Sequence, residues 1–391
     1  MKFRLLTLVL CFLSIQSSLL KAVDIIDLGV LSGGAESSAT GVSANGKVVV
    51  GTSSSLNGDR AFRWTPETGM QDLGVLPTGT ASFADGVSAD GTVITGSSIT
   101  ASGFRAYRWN ELNGMQELVM LAGGTASRAK NISNDGSIIV GYFNTNTTFY
   151  AFTWSSDKGM QNLGAPPGRN SRAYSISGDG TTVVGASPGP SLPVQGIKVT
   201  SESGMESIGF PSGANICYAY DVSYNGSVIV GETGTFSNSY AFRYSQPEGF
   251  LNLGTLPGDT ISEADAVSDD GEIIIVFSEN SIPKGFIWDN KSRAMKNLYE
   301  ILRFQNVNGI SKWDSISTAQ GISGNSINGY NIVGTGIING QKRGFLVTGL
   351  TSTVPEPSTY VSGLITMVFM MFLINRTKRN CRPLVNHQSL M

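Results

Sequence analysis

The chain has 391 residues, of which 14% are charged, and a formal net charge of -2. So sparse and balanced a charge gives no general pull on nucleic acid, which is excluded as a partner. The 48 glycines point to a β-rich fold with many tight turns, and of the three cysteines only Cys217 falls in the central body, which excludes an internal disulfide framework.

Residues 1–22 begin with Lys2 and Arg4, continue through an apolar stretch from Leu5 to Ile15, and end at Lys21-Ala22. That order is the pattern of a secretory signal peptide. The exported body then starts near residue 23 and runs to 349.

Within this body a triplet x-Leu-Gly, or a close variant, returns every 45 residues, at Leu28, Leu73, Leu118, Leu163, Ile208, Leu253 and Leu298. A long fixed period is the mark of stacked or ring-shaped repeats. Residues 42–74 display one unit. Asn45-Gly46 sits between apolar runs as a hairpin turn, Lys47 to Gly51 reads as a strand, and Arg60 to Trp64 alternates like another. Gly69 to Gly74 is a further strand. The turn returns at Asp90, Asp135, Asp179, Asn225 and Asp270, and more loosely around Asn328-Gly329. The third strand returns with an Ala-Phe or Ala-Tyr step at Ala106, Ala151 and Ala241, with Gly285-Phe286 and finally with Gly344-Phe345. Unit four departs, with a loop carrying Pro188, Pro190 and Pro193 before Gly196.

About four short strands per unit is the pattern of a propeller blade. The last unit ends after Phe345 without its Leu-Gly strand, and the exported body opens on an orphan copy, Asp24 to Gly29. The expected fold is therefore all-β: a seven-bladed propeller of four antiparallel strands per blade, closed by the N-terminal strand. The alternative is an open β-solenoid, which needs capping repeats at both ends.

After a linker at 350–359, residues 360–375 form an uncharged, largely apolar run, and Arg376, Lys378 and Arg379 follow within the tail 376–391. The expectation is a transmembrane helix with a cytoplasmic basic stop cluster.

Two resemblances rest on these residues. The Ala-Phe steps, the Leu-Gly triplets, the Ser-x-Asp/Asn-Gly turns and the Val-Val-Gly runs resemble the HAF repeat of bacterial exported proteins, although the histidine of that name is absent from every copy. The last unit resembles the long final repeat of such proteins, with a helical stretch from Leu298 to Phe304, then Trp313. Val354-Pro355-Glu356-Pro357-Ser358, with the apolar run and basic cluster behind it, resembles the PEP-CTERM sorting signal. That resemblance implies an exosortase-type partner acting at Pro355, Glu356 and Pro357, with transfer to the cell surface or matrix. The tail beyond Arg379 is longer than such signals usually carry.

The only histidine is His387, so the body carries no Ser-His-Asp triad and no histidine zinc site. Cys217 lacks a base and reads as a buried, inert thiol. Glu263, Asp265, Asp269, Asp270 and Glu272 form the densest acidic cluster; paired carboxylates support glycoside hydrolysis, but the expected reading is a solvated hairpin edge. Trp64, Trp109, Trp154 and Trp288 share one repeat position and are expected between blades. Trp313 is off the period, in the insertion of unit seven, and is the candidate partner contact, along with the Pro-rich loop of unit four. The functional expectation is a non-catalytic exported scaffold needing no cofactor, with extracellular polysaccharide or protein as its possible partner. The alternative is a carbohydrate-binding or glycan-processing propeller.

Overall fold

The computed structural model describes residues 23–189, 193–256, 258–279 and 284–351. Seven four-stranded antiparallel sheets succeed one another along the chain. Blade one is typical. Its strands Ser37–Val42, Val49–Ser53, Arg60–Thr65 and Gly69–Asp72 are hydrogen-bonded in chain order from the channel outward. Blade seven is Ser315–Asn325, Gly329–Ile338 and Gln341–Leu350, with Asp24–Asp27 as its fourth strand. That strand runs antiparallel to the third, with Ile25 opposite Val347 and Ile26 opposite Leu346. The orphan Leu-Gly strand therefore closes the ring and removes the two open edges a solenoid would leave.

Each blade buries both faces, because neighbours press on each side. The Ala-Phe step shows how. Successive strand residues point to opposite faces. Phe62 enters the core shared with blade seven, beside Leu28, Val333 and Leu346, and Ala61 enters the core shared with blade two. Trp64 lies on the Phe62 side and is buried there, and Trp288 is buried between blades five and six. Trp109 and Trp154 pack in part against the corresponding cores. All four tryptophans thus sit between blades, as their shared repeat position predicts.

The repeated triplet has its own physical cause. In Asp72-Leu73-Gly74 the Asp side chain accepts the Gly74 N–H at 2.8 Å, and Gly74 takes φ +78°, a left-handed turn that glycine enters without strain. The Gly74 carbonyl then accepts the Ser82 hydroxyl of the next blade at 2.6 Å, while Ser82 Oγ accepts the Ala61 N–H at 2.9 Å. Ser37, Ser171 and Ser262 repeat this two-way latch at three further interfaces. Leu28, Leu73 and Leu253 are buried beneath it. The glycine of Val-Val-Gly has a different cause. A Cβ on Gly51 would collide with the Ser38 carbonyl, because the second strand crosses a bulge in the first.

Unit seven carries helix α1, Leu298–Phe304, capped at its start by Asn297, whose side chain accepts the Glu300 N–H. A single 3-10 turn follows at Ile310–Lys312. The helix falls where a helical stretch was expected, at Leu298–Phe304, and the 3-10 turn extends it toward Trp313. The signal peptide, the motif Pro355, Glu356 and Pro357, the apolar run 360–375 and the cluster Arg376, Lys378 and Arg379 lie outside the described residues. Among the described residues no helix is long and apolar enough to cross a membrane.

Candidate functional site, the central channel

The first strands of all seven blades line one central cavity of about 720 Å³. Its walls follow from the repeat. Ala39 points into the blade and is fully buried, so its neighbour Thr40 points into the channel. The equivalent inward residues are Asp85, Lys130, Tyr174, Tyr220, Asp265 and Gln320 in blades two to seven. At the hairpin turns the channel wall ends in a rim of backbone hydrogen bonds. There backbone N–H groups of Ala44, Ala89, Asn134, Asp179, Tyr224 and Asp269 each donate to a carbonyl of the following blade. Asn331 Nδ2 completes the circle by donating to the Ala44 carbonyl at 3.3 Å.

The inward residues divide into two walls. On one, Lys130 Nζ meets Asp85 Oδ1 at 2.6 Å, and the Asp85 charge followed by the shared hydrogen bond raises the lysine above its ordinary value against the opposing effect of burial. Gln320 Oε1 accepts the Ser38 hydroxyl at 2.8 Å, and the Thr40 hydroxyl donates to the Ala84 carbonyl at 2.7 Å. These side chains have partners.

The other wall spans blades four to six. Tyr174 and Tyr220 lie with ring centroids 5.7 Å apart, and Tyr218 stacks on Tyr220 at 5.9 Å. The Tyr220 hydroxyl donates to Glu232 Oε2 at 3.0 Å. Asp221, at the bulge, accepts the Ser175 hydroxyl at 2.6 Å and the Val267 N–H at 2.9 Å. Burial outweighs those hydrogen bonds and pushes its carboxyl up to about 6. Asp265 is pushed well above the usual carboxylate range, first by burial and then by the negative charges of Glu263, Asp221 and Glu232.

This arrangement corrects the reading of the acidic cluster as a solvated hairpin edge. Glu263, Asp265 and Asp269 line the channel because they stand on its innermost strand and rim. Asp270 alone fits the turn role: its carboxylate accepts from the Ser268 hydroxyl at 2.8 Å and the Ser326 N–H at 2.8 Å. Glu272 accepts from Asn290 across the hairpin at 3.3 Å. Among the described residues, no group of three or more His, Cys, Asp or Glu side chains is placed to hold a metal ion.

Trp313 is only 3% exposed. Its ring meets Phe345 edge-on at 5.9 Å, and its carbonyl accepts the Tyr299 hydroxyl at 2.7 Å. The indole also occupies space opened by Gly336, where a Cβ would strike it. It is committed to packing rather than presented to a partner. In the unit-four loop, Pro190 lies outside the described residues, and the Arg169 guanidinium holds the flanks through the carbonyls of Ser187 at 2.9 Å and Pro193 at 2.7 Å. Cys217 occupies the latch-serine position of blade five, fully buried, and burial pushes its thiol up to about 12. Such a thiol is not a nucleophile at neutral pH.

No family model and no curated protein matches the chain. Among solved structures it is similar to oligogalacturonate lyase in complex with manganese, at 10% identity and a TM-score of 0.52, over 83% of this chain and 90% of that one. Puromycin hydrolase matches at 15% identity and a TM-score of 0.53, over 82% of this chain and 54% of that one. TolB from Acinetobacter baumannii matches at 11% identity and a TM-score of 0.47, over 64% of this chain and 63% of that one. The chain thus spans about half the hydrolase and less than two thirds of TolB. At such identities the likeness is one of fold alone.

Proposed function

We propose that this chain is an exported, non-catalytic binding propeller that presents its central channel to a ligand at the cell surface or in the extracellular matrix. One observation carries the binding half of this reading. Along the first strands, the residue packed into the blade is alanine in all seven copies, from Ala39 to Ala319, and the turn serine is the same in all seven, from Ser43 to Ser323. The inward residue between them takes five identities over the seven blades (Thr40, Asp85, Lys130, Tyr174, Tyr220, Asp265 and Gln320) and is polar in all of them. Positions the fold requires are uniform across the repeats; the channel position is released from that uniformity. A wall of unlike polar and aromatic groups around one cavity is the usual make-up of a ligand site.

The export half rests on the two termini. The signal-like residues 1–22 direct the chain outward. Pro355-Glu356-Pro357, the apolar run 360–375 and the cluster Arg376, Lys378 and Arg379 fit recognition by an exosortase-type enzyme, membrane retention and then release to the surface. The decisive experiment expresses the full chain, and a variant with Pro355, Glu356 and Pro357 changed to alanine, in an exosortase-positive host. The natural chain should lose its C-terminal tail and the variant should keep it; identical C-terminal masses would overturn sorting. The binding half is checked with the purified chain against neutral, acidic and amine-bearing saccharides. Turnover of any of them would overturn the non-catalytic reading.

A further inference from the structure

Asp265 has an unusual setting. It stands on the innermost strand of blade six with part of its surface in the cavity, yet among the described residues no donor hydrogen-bonds to its carboxyl and no cation pairs with it. Asp221, nearby on blade five, has its oxygens occupied by Ser175 and Val267. Lys130, the cation of the inward tier, is held by Asp85 at 2.6 Å. Arg172 stands two residues before Tyr174 and acts on its hydroxyl, with its guanidinium 4.3 Å from the centre of the Phe149 ring. The wall beside Asp265 therefore combines a carboxyl that has no partner among the described residues with two aromatic rings, Tyr174 and Tyr220.

We propose that this wall binds a primary ammonium group, carried by a small amine or an amino sugar, with Asp265 as its counter-ion and Tyr174 and Tyr220 as aromatic neighbours. The inference rests on the reading of the channel as the binding site and names its ligand class. An ammonium donates three hydrogen bonds and gains from both a carboxylate and the face of an aromatic ring. It also brings a positive charge to a carboxyl that burial, and then the charges of Glu263, Asp221 and Glu232, hold well above the usual carboxylate range. A cavity of about 720 Å³ admits a body of disaccharide size behind the amine. A metal ion fits less well, since no set of three ligating side chains is assembled among the described residues.

The test is calorimetric titration of the purified full chain with cadaverine, with the β-1,4-linked disaccharide of glucosamine, and with its N-acetylated counterpart. At least one of the two amines should bind, the acetylated sugar at least tenfold more weakly than its free-amine form. Asp265→Asn should weaken amine binding at least tenfold without lowering the melting temperature, because it removes a charge the fold disfavours. Tyr220→Leu should weaken it by a smaller factor. Binding of cadaverine but not the amino sugar identifies a small amine as the source, and the reverse identifies the sugar. Failure of both amines, equal binding of the acetylated sugar, or full binding by Asp265→Asn would overturn the proposal. Binding of a neutral saccharide that is lost in Thr40→Trp but kept in Asp265→Asn would leave the channel reading standing while removing the ammonium.

Discussion

At the scale of single residues, the latch serines and the channel carboxylates pull stability in opposite directions. Ser82 both gives and takes a hydrogen bond across a blade interface, so Ser82→Ala leaves the Ala61 N–H buried without its acceptor. That should cost about 1–3 kcal/mol in chemical denaturation. Cys217 occupies the same position in blade five, close to the Gly196 N–H. Cys217→Ser restores what the other blades use and should change the melting temperature by less than about 2 °C, on the scale of fractions of a kcal/mol. A large loss there would mean that the thiol has a role beyond packing. The carboxylates set the pH profile. Asp221 and Asp265 titrate above their unfolded values, so the folded state holds extra protons between those values and the folded ones. Their contribution is therefore greatest near the unfolded value and lost as pH rises through about 6 and beyond. The turn carboxylates act the other way. Hydrogen bonds from Ser133 and Ser137 lower Asp135, and its contribution is lost as pH falls through its depressed value. The melting temperature should thus be higher at pH 5 than at pH 7.5, then fall in stronger acid. Asp265→Asn should flatten the upper limb and spare the lower. A melting temperature that climbs steadily from pH 5 to 7.5 in the natural chain would refute this assignment.

At the scale of elements, the blade boundaries and the closure by Asp24–Asp27 were legible because each rests on a local cause that the sequence prints. The Asx turn at Asp72, the Ser82 latch and the bulge opposite Gly51 recur with fixed spacing, so one unit explains the rest. The channel was not legible. Both faces of a blade are buried, so alternation along a strand does not reveal which of the four strands is innermost. The one signal was the inward position itself, which changes from Thr40 to Asp85 to Lys130 between uniform alanines and serines. Without it, Glu263, Asp265 and Asp269 read as part of a solvated hairpin edge, because Asp270 beside them is a turn acid. Trp313 misled for the opposite reason: a residue off the period can still be core when its insertion folds onto the blade. The closing strand makes the element-level prediction. Ile25 is 4% exposed and pairs with Val347, so Ile25→Ala should destabilise by about 2–4 kcal/mol, as for any large core side chain. In an open array the same residue would sit at a frayed end and cost little. A loss below about 1 kcal/mol in urea titration would therefore argue that the ring is open in solution.

At the scale of the whole ring, closure makes the seven interfaces nearly equivalent, and the place where the chain is cut becomes almost arbitrary. Asp24 lies opposite Thr348, so the end of the third strand of blade seven and the start of the fourth are already hairpin neighbours. A short glycine-containing turn from Leu350 to Val23 would join them at little entropic cost, because loop closure grows only slowly with length. New termini can then open at the turn between Glu111 and Asn113, where Leu112 is 91% exposed and the strand ends on either side are already paired. That permutant turns Gly114–Glu117 into the leading strand and makes it close blade two across the same register, Tyr107 opposite Glu117. It should fold to a monomer with the natural far-ultraviolet spectrum and a melting temperature within about 5 °C, since the blade-seven hairpin gains a covalent turn as the blade-two hairpin loses one. Deleting residues 23–29 without permutation should behave differently, exposing the unpaired edge at Phe345 to Thr348 and drawing chains into oligomers through it. If both variants stayed monomeric and equally stable, the fourth strand of blade seven would not be the element that holds the ring shut.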